Sequence, residues 1–153
     1  MDKELKKLTI KKLKELRRWL MVVGLTLNDL RISEAFKVEL IAFESEQLER
    51  LKGFRKQAPE EINEIIQAIN KLPHKRHRAT LIMAYLELNR QPIPQQLKRL
   101  NISETNYYLY KNQALEDFSE VYRSGWLIEY RQRQRVTDWL EIATYGQTWQ
   151  AKA

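Results

Sequence analysis

Pro94-Gln95-Gln96-Leu97-Lys98-Arg99-Leu100-Asn101-Ile102-Ser103 reads as a short helix, its stop and the cap of a second helix. Leu100 closes the first helix and Asn101, a residue that tolerates positive φ, makes the turn. Ile102 is an apolar plug, and Ser103 offers its side-chain oxygen to a backbone N–H that would otherwise be orphaned. With the flanking sequence included, residues 72–122 read as two short helices, a tight break and a longer helix carrying basic and hydrogen-bonding side chains. That is the layout of a helix-turn-helix DNA reader.

The rest of the chain reads as helical too. Only four Gly and four Pro interrupt its 153 residues, and between them apolar residues recur every three or four positions. The expected architecture is therefore all-α: an N-terminal helical hairpin over 1–58, a helix-turn-helix domain over 59–124, and a C-terminal amphipathic helix and tail over 125–153. Leu5, Leu8, Leu13, Leu16, Leu20 and Val23 line one face of the first helix, with Lys3, Lys7, Lys11, Lys14 and Arg18 opposite. A second helix is predicted over 33–54 with Phe36, Leu40, Phe43, Leu51 and Phe54 inward. Ala58-Pro59-Glu60-Glu61 opens a third, with Pro at a first helical position, acids at the positive dipole end, and Ile62, Ile65, Ile66, Ile69 and Leu72 inward. A fourth is expected over 74–89 with Leu81, Ala84, Tyr85 and Leu88 on its inner face. Residues 126–145 form an amphipathic helix displaying Leu127, Tyr130, Trp139, Leu140 and Ile142, and the tail after Gly146 is expected to lack order.

In the helix that starts after Ser103, Tyr107, Ala114, Phe118 and either Val121 or Tyr122 fall on the core side. The opposite side holds Glu104, Thr105, Asn106, Tyr108, Leu109, Asn112 and, further round, Lys111. Side chains at the N-terminal end of such a helix meet base edges, and flanking cations meet phosphate. Asn106 and Asn112 suit bidentate reading of adenine, and Leu109 suits contact with a thymine methyl. Lys98 and Arg99 on the preceding helix are phosphate candidates, or simply an exposed polar face. Tyr108 and Tyr110 are either core or base-stacking groups, which leaves a single-strand or RNA reader open. A footprint of four to six cations implies a log-log salt slope of roughly −4 to −5.

The run Leu72-Pro73, Arg76 to Arg78, Tyr85-Leu86, Leu100-Asn101-Ile102-Ser103-Glu104, Tyr107-Tyr108, Lys111 and Ala114-Leu115 resembles region 4 of bacterial primary-type sigma factors. In its Ser-Glu-x-x-Tyr-Tyr-x-x-Lys-x-x-Ala-Leu form it is more similar to the ArpU and RinA group of phage late-gene transcriptional regulators. The resemblance covers roughly a third of the chain. It implies a sigma-like fold and a DNA-binding activator of late phage operons that works with host RNA polymerase in the bacterial cytoplasm. It also implies that Lys75, Arg76 and Arg78, beside His74 and His77, meet the DNA backbone. Gln95 and Gln96 stand where sigma domains carry an acidic-apolar pair, and Asn101 replaces the common turn Gly, so the packing of the first helix is open.

Other classes are poorly supplied. A formal charge of +7 favours a polyanionic partner. With no Cys there is neither a disulfide nor a thiolate metal site, and His74 and His77 lack further ligands nearby. No cofactor is expected. A Gly-rich phosphate loop, a Gly-x-Ser-x-Gly turn and a frame of paired His and carboxylates are all missing, so catalysis is not expected. The apolar run over 19–27 is too short to cross a bilayer, and the Lys-rich start does not read as a secretory leader. The lysines of residues 1–28, where the net charge is +5, fit a second DNA contact, an anionic surface or an ordinary packing helix. Trp126, Trp139 and Trp149 suggest docking on the domain or on a partner. Two further readings remain open: a homo-oligomeric DNA-packaging adaptor resembling small terminase subunits, and a protein-interaction module.

Overall fold

The computed structural model describes residues 1–40, 43 and 45–152, and at 40, 138, 142 and 144–152 it describes the backbone alone. The fold is all-α apart from one small hairpin. In chain order it runs α1 (Lys3–Val22), β1 (Leu30–Ile32), β2 (Val38–Leu40), α2 (Ser45–Glu49), α3 (Ala58–Asn70), α4 (Lys75–Leu81), α5 (Ile93–Leu100), α6 (Glu104–Val121) and α7 (Trp126–Lys152).

One continuous apolar cluster joins α1, the hairpin, α3, α4, α6 and the start of α7. Leu13, Leu16, Leu20 and Val23 of α1 are buried as their spacing predicts, while Leu5 and Leu8 pack against the cluster's edge. From α3 come Ile62, Ile65, Ile66 and Ile69, with Leu72 just beyond. From α6 come Ala114, Leu115 and Phe118, followed by Tyr122. Because α1 lies against both α3 and α6, the N-terminal helix shares the core of the helix-turn-helix. It also has a sharp end. Gly24 (φ +77) makes the turn after α1, a left-handed backbone that favours Gly, and the Gln47 side-chain amide packs over it.

The described residues of 33–54 do not form the one predicted helix, and only Ser45–Glu49 among them are α-helical. Leu30, Arg31 and Ile32 pair antiparallel with Leu40, Glu39 and Val38, and Phe36 turns the loop at φ +54. Local helical spacing loses here to partners far along the chain. Asn70 at the end of α3 accepts the Val38 N–H (2.7 Å) and donates to the Val38 carbonyl (2.9 Å). The Lys37 ammonium donates to the Asn70 carbonyl, and Arg78 donates to the carbonyls of Ala35 (2.8 Å) and Phe36 (3.2 Å). These bonds satisfy a loop backbone that a helix would otherwise have satisfied internally. Phe54, expected inward, is 68% exposed, whereas Phe36, Phe43 and Leu51 pack against the core. Leu40's side chain lies outside the described residues.

The fourth helix is also shorter than expected. α4 ends at Leu81, and Ile82–Leu86 continue it as a π-helical turn, with Ile82, Met83, Ala84 and Leu86 buried. The wider π turn carries the chain into Pro92 and Pro94, which open α5. At the other end, Gly125 (φ +90) follows Arg123 and Ser124, both also left-handed, and turns the chain into α7. α7 starts at Trp126 as predicted, and its backbone is helical to Lys152. The side chains of Trp149 and Ile142 fall outside the described residues. Among the described residues no helix is long and apolar enough to cross a membrane.

Candidate nucleic-acid interface

α5, the turn and α6 form the site. Asn101 adopts φ 52, ψ 51, the left-handed conformation its sequence position requires. Its N–H reaches the Lys98 carbonyl (3.2 Å) and the Ile102 N–H reaches the Leu97 carbonyl (3.2 Å). This is the Schellman pattern, in which the last carbonyls of a helix are satisfied by the two residues beyond it. Ser103 then takes extended backbone and its Oγ accepts the Asn106 N–H at 3.2 Å, capping α6. An Asn and a Ser thus fix the direction in which α6 leaves the turn.

The packing of α5, open at the level of sequence, is settled by Gln96. This residue is fully buried: its Oε1 accepts the Tyr107 hydroxyl (2.7 Å) and its Nε2 donates to the Gln91 carbonyl (2.8 Å). Tyr107 is itself fully buried on α6, and burial pushes its phenol up from the ordinary value. The neutral hydroxyl is therefore the state that braces the two helices. A polar pair at this depth costs little because both partners are satisfied. The cue in the sequence was the apolar-side position of Tyr107 together with a Gln eleven residues earlier, a pairing that spacing rules do not search for.

With Tyr107 behind it, the N-terminal half of α6 turns a polar flank outward. Glu104, Thr105, Asn106 and Asn112 are exposed, as are Tyr108 (41%) and Leu109 (59%). Ser103 is exposed as well, with its oxygen committed to the cap. An uncovered Leu and two uncovered Asn on one helix flank have the chemistry suited to thymine methyls and adenine edges. Lys111 is half-buried rather than outward: its ammonium lies 5.4 Å from the centre of the Tyr85 ring. Burial, and then the charges of Arg90, Lys6 and Lys14, hold it below the usual lysine range.

The candidate phosphate contacts divide. Lys75 and Arg76 at the start of α4 are exposed, Lys75 over the Phe36 ring (5.8 Å) and Arg76 with an N–H 3.4 Å from the Tyr110 hydroxyl. Lys98 is exposed on α5. Arg99 is exposed but engaged, donating to the Glu87 carboxylate (2.9 and 3.1 Å) and to Gln91 Oε1 (3.1 Å). Arg78 does not belong with them. It is 7% exposed, and besides the two hairpin carbonyls it donates to that of Leu72 at 2.7 Å. Its donors are consumed within the fold, which makes it the staple between the hairpin and α4. His77 beside it is buried, with Nδ1 3.6 Å from an Asp117 carboxylate oxygen and no hydrogen-bond partner. Among the described residues no group of three or more His, Cys, Asp or Glu is placed to hold a metal ion.

Comparison with known proteins adds one match. A family model described as "Protein of unknown function (DUF1492)" matches residues 28–119. No curated protein and no solved structure matches the chain.

Proposed function

Since the chain belongs to the DUF1492 family, whose match runs from the residues before the hairpin to near the end of α6, we propose a function for that shared part: sequence-specific recognition of double-stranded DNA in transcription control. The observation that carries this reading is the outward flank of α6 from Glu104 to Asn112, braced from behind by the Tyr107–Gln96 bond. A rigid helix with uncovered hydrogen-bonding and methyl-contacting groups at its N-terminal half meets the geometric need of major-groove reading. Lys75, Arg76 and Lys98 flank it as phosphate contacts. The finer statement is that the protein activates late genes of a phage with host RNA polymerase. It is supported by the resemblance to sigma region 4 and to the ArpU and RinA regulators.

Selection from random duplex DNA tests the first part, and a recovered consensus is the expected result. Replacing Asn106 and Asn112 with Ala lowers affinity for that consensus by roughly 5- to 150-fold for each base pair no longer read, at about 1–3 kcal/mol each, and leaves binding to random duplex in place. Recovery of no consensus rejects sequence-specific reading. Transcription of a cognate promoter with purified polymerase tests the second part, and equal output with and without the protein rejects activation.

A second reading, a multi-subunit DNA-packaging adaptor, draws on α7, where Val136 (59%) and Trp139 (65%) are exposed. Light scattering separates the two. A large ring favours packaging, and a monomer or dimer favours transcription control.

A further inference from the structure

We infer that the cleft between α1 and the segment 84–90 holds the phosphate backbone of the same duplex that α6 reads, an inference that rests on the DNA-reading function proposed above. The cleft encloses about 650 Å³. Lys7, Lys11, Lys14, Arg17 and Arg18 form one wall and Arg90 stands on the other. Its two acids are already engaged: Glu15 accepts from Lys12 (2.8 Å) and Glu87 from Arg99 (2.9 Å), and neither of those cations lines the cleft. Among the described residues, Lys11, Lys14, Arg17, Arg18 and Arg90 have no ion pair. Like charges facing one another across a cleft focus a positive potential that an anion relieves.

Two features select a duplex backbone over a compact anion. The α1 cations are strung along the helix. From Lys7 to Arg18 they span roughly 16 Å at about 1.5 Å per residue, the rise of about five nucleotides of one strand at about 3.4 Å each. A compact anion would leave half of them unmatched. The cleft is also continuous with the reading helix. Tyr85 lines it, and the Lys111 ammonium lies over the Tyr85 ring, three residues after Tyr108 and one before Asn112. The repulsion of Lys111 by Lys6, Lys14 and Arg90 shows charges from α1, the 84–90 segment and α6 converging at one place.

The test is the salt dependence of duplex binding by the full chain. Lys11, Lys14 and Arg18 are exposed and make no hydrogen bond in the fold, so changing all three to Gln spares the core. The triple variant is expected to reduce the log-log salt slope by about 0.9 for each phosphate left without its cation, about 2–3 in all, on consensus and random duplex alike, with the preference between them kept. Arg90→Gln, on the opposite wall, is expected to reduce it by about 0.9. Lys52→Gln, away from the cleft, is the control that leaves the slope alone. A wild-type slope in both cleft variants overturns the inference and leaves α6 reading intact. Loss of pyrophosphate binding with an unchanged DNA slope overturns it in favour of a small anion. Absence of any duplex binding by the wild-type chain overturns both readings together.

Discussion

The two ends of α6 are built from the same kinds of residue and do opposite work. At the C-terminal end Ser119 and Tyr122 are buried and Arg123 bonds into the fold, while Glu120 stays exposed. Tyr122, just past the helix, donates to the Glu61 carboxylate of α3 (2.8 and 3.0 Å), and Arg123 donates to the same carboxylate at 2.6 and 3.0 Å. Lys12 of α1 approaches it at 3.6 Å. Burial raises Glu61, but the bonds from Tyr122 and Arg123 and the charges of Lys12 and Arg123 outweigh it and hold the carboxyl below the usual range. At the N-terminal end Tyr107 turns inward and Lys111 is half-buried, while Glu104, Thr105, Asn106, Tyr108 and Asn112 are left to solvent. Polar residues serve anchorage at one end and, in the function proposed here, contact at the other.

The severest challenge to that contrast is to remove the anchor. Glu61→Ala leaves Arg123 and Lys12 without their shared carboxylate and the Tyr122 hydroxyl without its acceptor. Truncating one partner of a buried ion pair costs about 3–5 kcal/mol. The lower end applies here because Arg123 keeps its bond to Glu60 (3.2 Å) at a partly exposed position. Urea unfolding measures the loss. Well below the variant's own midpoint, its DNA affinity is expected to match the wild type, since nothing on the outer flank has changed. A stability change below about 1 kcal/mol would mean that the C-terminal end is not an anchor.

The brace of the reading end is next in size. Tyr107→Phe deletes the hydroxyl and strands the buried Gln96 oxygen, at a cost of about 1–3 kcal/mol. Unlike the Glu61 change, this one is expected to weaken duplex binding as well, because α5 and α6 lose the bond that fixes their angle. Equal DNA affinity in the folded variant would show that backbone packing alone sets the flank.

Which parts of this contrast the sequence discloses depends on how far apart the interacting residues lie. The stop at Asn101, the cap at Ser103 and the inward set Tyr107, Ala114, Phe118 and either Val121 or Tyr122 are all local, governed by φ/ψ tolerance, an orphaned N–H and helical spacings of three, four and seven. Each is found where spacing puts it. The Glu61–Tyr122–Arg123 anchor spans some sixty residues, and first-turn position alone explains Glu61 well enough to hide it. The hairpin fails for a related reason. Phe36, Leu40 and Phe43 can be placed on a helical face, while the alternation of Leu30-Arg31-Ile32 and Val38-Glu39-Leu40 is short, and its support comes from Asn70 and Arg78. Arg78 is the most instructive case. In a run of five basic or imidazole residues it is indistinguishable from Arg76, yet three backbone carbonyls draw it into the fold.

A smaller effect refines the same contrast at the first turn of α6. Ser103→Ala removes the oxygen that accepts the Asn106 N–H and is expected to cost about 1 kcal/mol. Its signature is local. Amide exchange should quicken over the first turn and leave residues 114–121 protected, since that half is fixed by the core and by Glu61. Uniform quickening along α6 would show that the two ends open as one unit.

The smallest effect lies between the ends, where His77 of α4 meets Asp117 of α6. Burial first, and then the charge of His74, hold the imidazole below its ordinary value, against the opposing pull of Asp117. A group whose pKa is depressed by folding binds its proton more tightly in the unfolded chain. Its stabilising contribution is therefore complete above the unfolded value near 6.5 and is lost as pH falls through the lower folded value. The melting temperature is expected to decline on acidification from about pH 7.5 to 5.5, and His77→Gln to flatten that decline. Asp117→Asn removes the group that favours the imidazolium, so it should steepen the decline. A melting temperature that rises on acidification would mean that Asp117 wins over burial, and that the middle of α6 is held by a charged pair rather than by a neutral ring.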